Sequence, residues 1–80
     1  MNIPTELAHQ RAEEISRLVA LPDEALLTTH EAAAVLRLRR TTLAWHRSQG
    51  GGPEYVHVGS RVRYRMGALR AYMKGARNGR

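Results

Sequence analysis

Glu54-Tyr-Val-His-Val-Gly-Ser-Arg-Val-Arg-Tyr-Arg65 turns about its central Gly59-Ser60 pair, and its second half alternates cationic with apolar residues. Strand side chains repeat with a period of two. Val62 and Tyr64 therefore share one face, while Arg61, Arg63 and Arg65 share the other. The stretch predicts a hairpin over residues 55–58 and 61–65 that buries one face and presents guanidinium groups on the other. Such a ribbon suits a phosphate backbone, although a plain solvated sheet face would look the same.

Upstream of the hairpin, Thr28-Thr-His-Glu31 reads as a capping box, in which the threonine and glutamate side chains satisfy each other's backbone amides. It opens a short helix over residues 32–36, whose alanines at 32–34 allow close approach of a second helix. Residues 37–40 form the turn and residues 41–49 the second helix. Gly50 is placed to end that helix in the left-handed conformation, and Pro53 bars continuation. Two short helices joined by a tight turn make a helix-turn-helix. Downstream of the hairpin, residues 66–74 form a closing helix with Leu69, Tyr72 and Met73 on one side. Residues 75–80 are expected to form a mobile cationic tail.

At the other end, residues 5–20 predict an amphipathic helix with Pro4 in its first turn and Glu6 at its positive end. Leu7, Ala8, Ala12, Ile15, Leu18 and Val19 form its apolar stripe, and Pro22-Asp-Glu ends it. Isolated helices of this length are marginal, so the stripe packs on the body or on a second copy of itself. The first is the more ordinary outcome. Leu7, Ile15 and Leu18 are the candidates for self-association or for a partner.

Charge divides the chain in the same place. Residues 1–31 carry six carboxylates against Arg11 and Arg17, a net −4; residues 32–80 carry eleven cations against Glu54 alone, a net +10. The pattern suggests a polyanion-binding body with an acidic appendage. Twelve of the thirteen cations are arginine, whose planar fork suits phosphates and guanine edges. Eighty residues allow one small domain and its appendage. There is no cysteine for a disulfide or thiolate site, no apolar run long enough to span a membrane, and no secretory signal order at the start. A soluble cytoplasmic protein is expected. The fold class is mainly α with a small β-hairpin, a winged helix-turn-helix plus an N-terminal helix. The expected parts are an acidic helix and linker over 1–25, the DNA-binding body over 26–74 and the tail over 75–80.

Leu26-Leu-Thr-Thr-His-Glu-Ala-Ala, Thr42-Leu-Ala, Arg47-Ser-Gln-Gly-Gly-Gly-Pro and the hairpin run, in that order, resemble the small winged helix-turn-helix proteins of phages and mobile elements. These are the excisionases and AlpA-like regulators, distant relatives of MerR-type DNA-binding domains. The resemblance covers residues 26–73. It implies a recognition helix in the major groove, a hairpin wing in the adjacent minor groove, and a role in directing an integrase or regulating promoters. Three departures stand out. Arg37-Leu-Arg39 replaces a Gly-Val-Ser-like turn, which leaves Arg39 and Arg40 at a positive helix end unless Thr41 caps instead. Trp45 stands one place before the family's helix tryptophan, so it is either buried by a rotated helix or turned toward DNA or a partner. Met66-Gly67 replaces a Ser-Asp-like cap, so the closing helix is expected to fray.

Catalysis is not expected. His9, His30, His46 and His57 lie on different elements without metal-ligand spacing, so neither a metal nor a cofactor is expected. Glu13 and Glu14 are adjacent on a helix and point apart, and neither Ser48 nor Ser60 has an evident base. The expected function is sequence-specific binding of double-stranded DNA. Arg39, Arg40, Thr41, Trp45 and Ser48 are the recognition-helix candidates, Ser60, Arg61 and Arg63 the wing candidates, and Thr28 and Thr29 the phosphate contacts. Excisionase is the leading assignment, with an integrase as partner, self-association on DNA and a bacterial host cell as the setting. An AlpA-like regulator is the alternative. A protein-interaction module acting through the N-terminal helix is the alternative of another class, and RNA binding fits the charge but not the helix order.

Overall fold

A computed structural model describes the backbone of residues 5–75 and the side chains of residues 10–75. The elements run α1 (Thr5–Val19), β1 (Leu26–Leu27), α2 (Thr29–Leu36), α3 (Arg40–Ser48), β2 (Val56–Val58), β3 (Arg61–Arg65) and α4 (Met66–Gly75). The chain is a winged helix-turn-helix, mainly α with a small antiparallel sheet. Of the tail expected over residues 75–80, Gly75 is the last residue of α4, while residues 76–80, like Pro4, lie outside the described residues.

The capping box forms as read. The Glu31 amide donates to Thr28 Oγ1 at 3.1 Å and the Thr28 amide to Glu31 Oε1 at 2.9 Å. α2 ends on Arg37 at φ 58°, a left-handed residue. The amides of Arg37 and Leu38 donate back to the carbonyls of Ala34 and Ala33. That is a Schellman ending with arginine where glycine is usual. α3 then starts at Arg40, one residue before the expected start. Arg39, not Thr41, is its N-cap, and no side chain bonds there. The second Schellman ending has Gly50 at φ 81°, with the Gly50 and Gly51 amides donating to Arg47 and His46 carbonyls.

In the hairpin, Val58 pairs with Arg61 and Val56 with Arg63 across a two-residue turn. Gly59 has φ 63° while Ser60 does not share the positive φ, the signature of a II′ turn whose twist matches its strands. The sheet has a third strand that the sequence pattern did not reveal. β1 pairs with β3, Leu26 opposite Arg65 and Leu27 opposite Tyr64, in the order β1-β3-β2.

The core joins Leu18, Leu27, Ala32, Ala33, Val35, Leu43, Tyr64, Met66 and Leu69, one or more from every helix and two strands. Ala32 and Ala33 are buried as the close helix approach requires. Met73, expected on the inner side of α4, is 40% exposed, while Met66 takes the inner place.

The boundary drawn after residue 25 is bridged by packing and by backbone bonds. Leu18 lies in the core and Leu21 packs on it. The segment after α1 crosses the start of α4, where the Met66 amide donates to Ala25 O and the Gly67 amide to Asp23 O, each at 2.9 Å. These carbonyls satisfy two of the four amides that a helix start leaves orphaned. They take the place of the missing Ser-Asp-like cap. Arg70 of α4 grips the same strap, donating to Val19 O at 2.8 Å and Leu21 O at 2.5 Å and pairing with Asp23.

Candidate nucleic-acid interface

Leu43 fixes the orientation of α3, being its one fully buried residue. At a hundred degrees per residue, Thr41, Trp45 and Ser48 then face away from the core, and all three are exposed. Trp45 is 58% exposed, which settles its two sequence readings in favour of solvent. Its ring stands edge-on to His46 at 5.2 Å, and His46 is half-buried. The Ser48 hydroxyl donates to the Trp45 carbonyl at 2.7 Å, so its proton is already used within the helix.

Arg39 and Arg40 are exposed at the first turn. With no cap bond and no acid in that turn, two cations meet the positive end of the helix dipole. A cap there stabilises by about 0.5–2 kcal/mol, and this chain forgoes it. Arg40 shares its angular position with Arg47 seven residues on, so it lies at the edge of the Thr41-Trp45-Ser48 face and not in its middle.

Arg47 joins this helix to the wing. Its Nη1 donates to the Tyr64 hydroxyl at 2.7 Å, and its guanidinium lies over the Tyr55 ring at 5.7 Å. Tyr55 in turn packs against Tyr64 and His57, with centroids at 6.1 and 5.8 Å. Tyr64 is 1% exposed, so its hydroxyl needs this partner. The C-terminal end of α3 is thereby tied to the base of β3. Arg47 was not among the expected site residues. Its signal was present, since it follows Leu43 by one turn and a tyrosine on the buried strand face requires a donor or acceptor.

On the wing, Ser60 and Arg61 are exposed at the tip. Arg63 is half-buried and its guanidinium donates to the Val62 carbonyl at 2.7 Å. Thr28 and Thr29 are half-buried at the start of α2, and the Thr28 oxygen already accepts from Glu31. Of the self-association candidates, Leu18 packs in the chain's own core, where it is 8% exposed. Ile15 is half-buried in a groove with His30, Ala33 and Leu38, and the Leu7 side chain lies outside the described residues.

Among the described residues, no group of three or more His, Asp or Glu is arranged to hold a metal ion, and no helix is long and apolar enough to cross a membrane. A family model described as a helix-turn-helix domain matches residues 26–77. No curated protein matches the chain.

Proposed function

The chain belongs to the helix-turn-helix domain family, which includes excisionase-like DNA-binding proteins, and from that membership we propose that it is an excisionase. The domain supports sequence-specific DNA binding. In this reading α3 enters the major groove of double-stranded DNA and the wing reaches the neighbouring minor groove. Arg39, Arg40, Thr41, Trp45 and Ser48 contact the first, and Ser60, Arg61 and Arg63 the second, with Thr28 and Thr29 near phosphate. The bound protein bends attachment-site DNA and so directs an integrase, in a bacterial host cell. The observation that carries the reading is the exposed face of α3, flanked by arginines and tied through Arg47 and Tyr64 to a cationic wing.

DNase footprinting with a circular-permutation bending assay tests it on attachment-site and promoter DNA. Protection with a bend at attachment sites, and stimulated excision by an integrase that acts on those sites, is the expected result. Protection confined to promoters, with no effect on excision, favours the AlpA-like regulator. No sequence preference on any duplex overturns both.

One observation favours a second role for α1. Its stripe is only partly covered, with Ile15 half-buried and Val19 42% exposed. Neighbouring copies on DNA would meet there. Val19→Lys should then reduce joint occupancy of adjacent sites while leaving affinity for a single site unchanged.

A further inference from the structure

We infer that Trp45 reads the methyl group of a thymine in the major groove, an inference that rests on the DNA-binding reading above. Trp45 stands in the middle of the exposed α3 face, one turn after Thr41 and three residues before Ser48, and is the most exposed large apolar side chain among the described residues. Among the described residues of α3, no guanidinium competes for that position. Arg47 is engaged by Tyr64 and Tyr55, while Arg40 sits at the edge of the first turn. The bidentate arginine–guanine contact is therefore displaced to the margin of the face.

An indole offers one donor and no acceptor, so it cannot pair with two atoms of a base edge. The one apolar group that the major-groove edges of the bases display is the C5-methyl of thymine. α3 contains no carboxylate, and Arg39 and Arg40 stand at its N-terminal end before the tryptophan, so the local charge favours a polyanion over a basic protein surface. The edge contact with His46 gives the ring a defined orientation, as a reader of a single methyl requires.

The test uses the whole protein and a duplex site selected from a random library. Each thymine of that site is replaced in turn by deoxyuridine, which removes the methyl and leaves base pairing intact. One position should lose about fourfold in affinity, the worth of burying one methyl-sized group. Trp45→Ala should bind the thymine and uracil duplexes equally at that position, with its salt slope unchanged because no phosphate contact is lost. Trp45→Phe should keep most of the discrimination. Uniform indifference to uracil, or a discrimination that survives in Trp45→Ala, overturns the inference and leaves DNA binding standing. Selection of no duplex above a salt-dependent background removes the DNA-binding reading and this inference with it.

Discussion

Gly67→Ala should destabilise the protein, although alanine is the better helix former. Gly67 is the second residue of α4, where the strap after α1 crosses. A Cβ there would lie 2.9 Å from Asp23 Cβ, 3.1 Å from Asp23 Cγ and 3.3 Å from Asp23 O. The last of these atoms accepts the Gly67 amide, so the strap cannot retreat without stretching that bond. Replacing glycine by alanine in a helix gains about 0.5–1 kcal/mol. Forcing a methyl into a closed contact costs about 1–3 kcal/mol. The clash wins, and a net loss of about 1–2 kcal/mol is expected. For a domain of this size that lowers Tm by roughly 5–15 °C. The assay is thermal and urea unfolding followed by circular dichroism, run as a double-mutant cycle with Asp23→Gly. Asp23→Gly removes the two nearest atoms, so Gly67→Ala should cost far less in that background, with a coupling of about 1 kcal/mol. A Gly67→Ala protein as stable as the parent, or an equal cost in both backgrounds, would refute the claim that the strap is seated on α4.

Three further outcomes follow from the same geometry. Arg37→Gly should stabilise by about 0.5–1 kcal/mol, because a non-glycine residue in the left-handed region costs about 1–2 kcal/mol and glycine's greater unfolded freedom returns part of it; an unchanged or lower Tm counts against the strain at φ 58°. Arg47→Ala should cost about 1–3 kcal/mol by leaving the buried Tyr64 hydroxyl unpaired, and the loss should shrink in a Tyr64→Phe background; a loss of equal size there means the bond does not matter. Arg40→Ala should weaken the cognate site by about 1–3 kcal/mol while sparing non-specific DNA, whereas Arg61→Ala should weaken every sequence and reduce the salt slope by about one; fluorescence titrations over a salt series separate the two, and an unchanged Arg61→Ala slope removes it from the wing contact.

The elements legible from residue order are those held by neighbours in the chain. Thr28 and Glu31 cap α2 across three residues, Gly50 ends α3 against Arg47 and His46, and Gly59 turns the hairpin. In each case the conformation follows from a hydrogen bond or a permitted φ within one turn, which side-chain chemistry at that spacing already specifies. The alternation of β3 belongs to the same class, since a period of two assigns Tyr64 and Arg61 to opposite faces before any partner strand is known.

What tertiary structure decided are the contacts that span tens of residues. β1 is a strand only because β3 lies beside it, two residues being too short for any periodicity to show. The start of α4 reads as uncapped because its caps are the backbone carbonyls of Asp23 and Ala25, which any side chains would supply equally well. The one-residue choice that leaves Trp45 in solvent and His46 half-buried rests on where Leu43 enters the core, and that depends on α2, β3 and α4 together. Local chemistry names the elements. The direction each helix faces is a property of the packed core, where burying a few large side chains outweighs any single neighbour's preference.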